Sequence, residues 1–383
     1  MAALSACTRE APVPAHAALA LRLHDFRNYP HLRLEVGSGR VVLHGDNGAG
    51  KTNLLEAVSL LAPGRGLRQA RPGELDRRDG GAWSLVAQIH GRDGPAEVLT
   101  ARHADGDRRI VRLDGGAERS PNALADLVSL VWLTPAMDRL FLEGGSGRRR
   151  FLDRLVLAVQ PDHGARVSLY ERTLRERSAL LRHGRADPAW LAALERRTAE
   201  AGVALAAARR ELLAGLNRVL AADGLPFPRP LLAVEDEVGG WLEAMPAVDA
   251  EQRFAAALQR SRSEDAHTGG AAIGPHRADL AATDAATGEP ARLCSTGRQK
   301  AFLVSIVLAE ARLRLLRHGD LPVLLLDEIA AHLDAERRTA LLEDLDRLGA
   351  QCWLTGTDAA LFQPLRGRAQ FFRVHQATLT ADD

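Results

Sequence analysis

The chain has 383 residues, 46% of them hydrophobic and 26% charged, with a formal net charge of +1. That length exceeds one compact core and implies two or three lobes, and the near-neutral balance confines any nucleic-acid face to a local patch. Cys7, Cys294 and Cys352 stand far apart with no CxxC pair, which excludes a disulfide framework and a zinc site and points to a reducing, cytoplasmic compartment, and no apolar run reaches the roughly 18 residues of a membrane span.

The Ala/Pro-rich start, "MAALSACTREAPVPAHAA", has no basic region before an apolar core and predicts a loose tail over 1–18. Strands are expected through 19–114, in "ALALRLHDF", "HLRLEV", "RVVLHG", "WSLVAQIHG", "AEVLTARH" and "RRIVRLDGG", with one helix from about Lys51 to Leu61. "SLVWL" at 129–133 reads as another buried strand. Near Gly147 the texture changes to Arg/Glu/Leu/Ala periodicity. A helix is expected over about 149–182 and a second behind Asp187 as N-cap, with Pro188 in its first turn and Gly224 past its end, so the two form an antiparallel hairpin. A strand and an amphipathic helix follow over 228–262. Strands return from Ile273 with "GPHRADLAAT", whose His276 and Arg277 are placed on a strand. A helix is expected from about 297 to 317, then the buried strand "LPVLLLDE", the helix "AERRTALLEDLDRL", and strands in "QCWLTGT" and "QFFRV". The expected division is a tail over 1–18, a first head part over 19–147, a helical arm over 148–262 and a second head part over 263–383.

Gly45-Asp46-Asn47-Gly48-Ala49-Gly50-Lys51-Thr52, with Asn53 behind it, fits GxxxxGK[ST] between an apolar strand and a helix. Glycines let backbone N–H groups close on phosphate oxygens, and the helix N-terminus adds partial positive charge. Lys51 offers a compact point charge to terminal phosphates, and Thr52 a hydroxyl to Mg²⁺. The chain carries 48 arginines and two lysines, Lys51 and Lys300, so keeping lysine here argues that an ammonium fits where a planar fork does not. "VLLLDE" supplies the acidic strand end: Asp327 for the Mg²⁺ shell and Glu328 for an attacking water.

Lys51 and Asp327 are 276 residues apart, too far for a simple Ras-like or kinase-like arrangement. Between them "CSTGRQKAFLVSIVLAEARL" resembles the signature of ABC-type ATPases, with Ser295, Gly297, Gln299 and Lys300 opening a long helix. Leu333-Asp334 matches the D-loop of that class. "LTGTD" occupies the switch position where transporter ATPases place histidine, leaving Thr355 and Thr357 as polar candidates. In that class the signature serine meets the γ-phosphate held by the other subunit's P-loop, which implies an ATP-dependent dimer.

From about Leu21 to Val374 the chain resembles the RecF family of bacterial recombination and replication-repair mediators, carried by "LRLHDFRNY", "GDNGAGKTNLLEA", "GRGLR", "LTPAMDRLFLEGGSGRRRFLD", "GPHRADL", "STGRQK", "LLLDEIAAHLD" and "TGTD". Arg298 departs from it, standing where the signature has Gln. The resemblance implies an α/β fold: an ABC-type ATPase head, a mixed β lobe plus a P-loop core, with an inserted helical arm, related to Rad50 and SMC heads. It implies ATP and Mg²⁺ as ligands, slow DNA-stimulated hydrolysis, dimerisation on gapped DNA, and cooperation with RecR and RecO in loading RecA. Arg65, Arg68, Arg148, Arg149 and Arg150 are the candidate DNA contacts, through phosphates and not bases, with internal pairing as the competing reading. An ABC transporter subunit and a Rad50-like nuclease partner are the rival classes. The first predicts a short P-loop-to-acid spacing and a His switch, the second a long tether with a CxxC hook; the sequence has neither set.

Overall fold

The computed structural model describes residues 16–183, 187–222 and 227–382. The expected tail lies outside the described residues up to position 15, as does Gly224. β1 (Ala17–Phe26) and β2 (Tyr29–Glu35) form a hairpin; β3 (Arg40–His44) leads into α1 (Lys51–Ser59). β4 (Ser84–Gly91), β5 (Gly94–Arg102) and β6 (Arg109–Leu113) complete an antiparallel sheet of order β2-β1-β4-β5-β6. β7 (Leu130–Leu133) then joins a second sheet.

Helices follow: α2 (Gly145–Val159), α3 (His163–His183) and α4 (Pro188–Ala221). The helix expected over 149–182 is therefore two. Gln160 is extended (φ −129°, ψ 93°), because the residue before Pro161 is held out of the α region. The expected start of the arm at 148 falls inside α2, whose Phe151, Leu152, Leu155 and Val156 lie in the same core as the central strands. β8 (Pro230–Glu235), α5 (Glu237–Trp241), α6 (Ala247–Arg260) and α7 (Arg262–Thr268) come next. A separate core around Tyr170, Val203, Ala206, Phe254 and Leu258 joins α3, α4 and α6. Fully buried Arg177 ties α3 to Glu195 of α4 and Asp265 of α7, at 3.1 and 2.7 Å. The carboxyl half of α4, through Ala208, Leu212 and Leu216, belongs to the head core instead.

β9 (Asp279–Asp284) pairs with β8, and α8 (Thr296–His318) follows. β10 (Val323–Leu326), α9 (Ala335–Leu348), β11 (Cys352–Gly356), β12 (Ala369–His375) and β13 (Thr378–Ala381) complete the chain. His276 and Arg277 lie on a 3-10 turn before β9, not on a strand; Pro275 lacks the N–H that a ladder would use.

The second sheet has the order β13-β12-β3-β11-β10-β7, with β13 the antiparallel edge strand on five parallel ones. Its central strands are apolar throughout because both faces are covered. Alternate residues divide between two cores: Val42, Leu324, Leu326 and Leu354 face α8 and α9, while Val41, Leu43, Leu325 and Trp353 face α1 and the first sheet. Two ends of the chain thus share one sheet, and β11 lies between β3 and β10. The loops after these three strands open at the same carboxyl edge, where ligands gather in parallel sheets.

Candidate functional site

The loop between β3 and α1 is shaped by glycines, of which Gly50 shows the constraint best. It sits at φ 122°, and a Cβ there would fall 2.6 Å from the Tyr29 hydroxyl. The β1–β2 turn braces this loop. Tyr29 Oη donates to Gly50 O at 3.1 Å, and Asn28 Nδ2 donates to Ala49 O at 3.2 Å and carries Asn53 Nδ2 on its Oδ1 at 2.8 Å. Arg27 grips fully buried Glu56 of α1 with Nε and Nη2 at 2.8 and 2.7 Å. "FRNY" is therefore a clamp on the P-loop, a role its sequence did not reveal. Buried Arg109 is a second such residue, donating to carbonyls of Leu60, Ala62 and Gly64 behind α1.

Lys51 is buried, and its Nζ donates to Gly45 O at 2.6 Å and Asp46 O at 2.9 Å. An ammonium has three donors, so one remains for an anion. Burial lowers its pKa against the fields of Glu328, Asp327 and Asp46. α1 has no acidic residue in its first turn to compensate its N-terminal dipole. Loop and helix end together form a phosphate cradle.

Three chain segments converge beside it. Thr52 Oγ1 lies 3.0 and 3.1 Å from the two oxygens of Asp327, just past β10. Thr355 Oγ1, in β11, donates to Asp327 Oδ1 at 2.7 Å and accepts the Glu328 N–H at 2.8 Å. Burial pushes the Asp327 carboxyl up; the Thr355 and Thr52 hydrogen bonds pull it down, and Glu328 adds to the rise. Glu328 adopts a left-handed conformation (φ 51°, ψ 23°). A magnesium ion suits this donor set: a hydroxyl and a carboxylate are hard oxygen ligands, and Mg²⁺ uses one or two protein groups and completes its shell with phosphates and water. Among the described residues no group of three or more His, Cys, Asp or Glu could form an all-protein cage. Thr52, Asp327 and Glu328 line a cleft of about 870 Å³ whose other walls include Arg68, Trp132, Arg150 and Arg154.

The signature residues divide. Ser295 caps α8, accepting the Arg298 N–H at 3.4 Å, and it and Gly297 are exposed. Gln299 and Lys300 are buried. Gln299 Nε2 donates to Cys294 O at 2.9 Å, and Lys300 Nζ pairs with Asp138 Oδ2 at 3.3 Å. Their side chains are committed within their own subunit, unlike the outward role expected of them. Arg298, the departure from the signature, is ion-paired to buried Asp284. Asp334 caps α9 through the Arg337 N–H at 2.8 Å. Thr357 is exposed.

The arginine candidates also divide. Arg148 makes a two-pronged pair with Asp279 at 2.6 and 2.7 Å, and Arg149 donates to Ala278 O at 2.8 Å. "RRRFLD" and "GPHRADL" therefore lock to each other, and these internal bonds account for Arg148 and Arg149 in the first turns of α2. Arg68 is held by Asn53 Oδ1 at 2.6 Å and Glu56 Oε2 at 2.9 Å. Arg65 and Arg150 are exposed. In "GPHRADL" both ring nitrogens of His276 are engaged internally, facing Tyr170 Oη at 2.7 Å and Ala271 O at 3.0 Å.

A family model described as the RecF/RecN/SMC N terminal domain matches residues 19–379. A DNA replication and repair protein RecF from Mesorhizobium japonicum is 48% identical, over 94% of this chain and 96% of that protein. The chain belongs to the RecF family. Its counterparts from Rhizobium etli and Agrobacterium fabrum are 47% and 46% identical, covering 92% and 94% of this chain and 96% and 97% of theirs. The RecF fold is equally plain. A solved structure of the recombination mediator protein RecF-ATP in the RecFOR pathway superposes with a TM-score of 0.84 at 21% identity, covering 98% of this chain and 100% of that one. An Smc head domain from Pyrococcus furiosus gives 0.54 at 14% identity, with 96% of each chain covered. The architecture is thus the ABC-type ATPase head expected from the motifs, with helices inserted between its two halves.

Proposed function

We propose that this RecF-family protein is an ATP-switched DNA-binding protein of recombinational repair and replication. The observation that carries the reading is the meeting of Thr52, Asp327, Glu328 and Thr355, from three distant segments, beside a P-loop lysine. Mg²⁺ would supply charge neutralisation at the phosphates, and Thr52 and Asp327 are the residues that would hold it. Lys51 and the loop N–H groups bind and orient the phosphates, and Glu328 takes or orients the proton of the attacking water. Exposed Ser295 and Gly297 at the α8 N-terminus serve the nucleotide of a second copy, so ATP drives dimerisation and slow, DNA-stimulated hydrolysis releases it. Arg65 and Arg150, with Arg68, contact DNA phosphates near gapped junctions. RecR and RecO act with the dimer to load RecA, in the cytoplasm. No helix among the described residues is long and apolar enough to cross a membrane.

Sedimentation with and without ATP and gapped DNA tests this. The reading expects a monomer without nucleotide, a dimer with ATP, and a DNA-bound dimer with both; one unchanged species in all three conditions contradicts it.

A further inference from the structure

The switch position of this head holds two threonines, and they cannot do the same job. Thr355 is fully buried. A hydroxyl has one hydrogen to donate, and that of Thr355 goes to Asp327 Oδ1 at 2.7 Å, while its oxygen receives the Glu328 N–H at 2.8 Å. No donor is left for a γ-phosphate. Gly356, next along, has no room for a side chain, since a Cβ would fall 2.6 Å from Phe362 Cε2. Thr357 is the first exposed residue of the segment.

The turn that Thr355 supports needs support. Glu328 holds a left-handed conformation at φ 51°, which costs a residue with a Cβ free energy and persists where neighbours over-determine it. Its neighbour's amide is already used, Asp327 N–H donating to Leu133 O at 2.9 Å. The Glu328 amide has the Thr355 oxygen as its partner. One buried hydroxyl therefore fixes both acids, Asp327 by its carboxylate and Glu328 by its backbone.

We propose that Thr355 is the positioning residue of the acidic pair: its one buried hydroxyl is an internal clamp that sets the Mg²⁺-binding carboxylate and aims the Glu328 side chain. The proposal rests on the roles assigned above to Asp327 and Glu328. Any nucleotide sensing by this segment then passes to Thr357.

The test compares full-length Thr355→Val, which keeps shape and loses the hydroxyl, with Thr355→Ser, which keeps the hydroxyl, and Thr355→Ala as a second deletion should valine disturb folding. Binding of a fluorescent ATP analogue is titrated in EDTA and at rising Mg²⁺, and turnover is measured alongside, with Glu328→Gln as control. The valine and alanine variants should bind nucleotide normally in EDTA, need several-fold more Mg²⁺ for half-maximal tightening, and lose turnover by about 10–100-fold, the scale of a small misplacement of reacting groups, with KM little changed. Serine should restore both. Wild-type Mg²⁺ dependence and turnover in the valine and alanine variants, with Glu328→Gln inactive, overturns the clamp. Full turnover in Glu328→Gln instead removes the acidic-pair reading, and the proposal with it.

Discussion

Tyr29 donates its phenolic hydrogen to the carbonyl oxygen of Gly50, across 21 positions of sequence and 3.1 Å of space. Tyr29 is fully buried, so the contact is shielded from bulk solvent. Tyr29→Phe should remove one of the two hydrogen bonds to the Gly50 carbonyl, which keeps the Leu54 N–H at 3.0 Å, at a cost of about 0.5–1.5 kcal/mol. Thermal melting should fall, and nucleotide affinity with it, because the loop loses its brace. Gly50→Ala should do more, since its methyl would meet the same hydroxyl. An unchanged melting temperature and affinity in Tyr29→Phe removes the clamp role of the hairpin turn.

Lys51→Arg should weaken ATP binding although the charge is kept. The Nζ of Lys51 sits 2.6 and 2.9 Å from two loop carbonyls, a pocket sized for an ammonium. Nucleotide titration reads the effect, and wild-type affinity contradicts it.

Both lysines of the chain are buried, each 4% exposed, and this shows what the sequence could and could not reveal. Lys51 was legible because glycine spacing, a preceding apolar strand and a following helix are all local signals. "VLLLDE" was legible for a similar reason: a strand covered on both faces is apolar at every position. Lys300 was not, because its burial depends on Asp138, 162 positions away. The same limit hid the Arg148–Asp279 pair, which joins two motifs that sequence alone leaves as separate basic and polar patches. It also hid the Tyr29 brace. Periodicity finds elements; it does not say which buried charges meet.

Glu310, fully buried in α8, has both carboxylate oxygens without hydrogen-bond partners among the described residues. Burial pushes its pKa up to about 8, against the nearby charges of Arg314, Arg317 and Arg154. The folded state holds this proton more tightly than the unfolded chain, whose carboxyl titrates near 4.5. Stability contributed by the neutral acid is full below 4.5 and declines as pH rises toward 8. Glu310→Gln should therefore match wild type at pH 4 and melt at a higher temperature at pH 8.5. Parallel melting curves for the two proteins across that window contradict the assignment.

Ser295→Arg should leave nucleotide binding by the single chain near wild type and abolish ATP-driven association. Ser295 is exposed and caps α8, so the loss of the cap also costs about 0.5–2 kcal/mol of stability. Light scattering with and without ATP separates the two effects: a destabilised protein that still dimerises in ATP shows that the α8 N-terminus does not serve a second copy's nucleotide.

The dissociation rate of Glu328→Gln from gapped duplex DNA in ATP tests the switch most directly. Gln keeps the size of the side chain and removes the charge that takes or orients the water's proton, a contribution on the order of 10²–10⁴-fold. ATP binding should stay normal, turnover should be lost, and the dimer should leave DNA much more slowly than wild type. Rapid dissociation with hydrolysis blocked contradicts a link between ATP state and DNA residence.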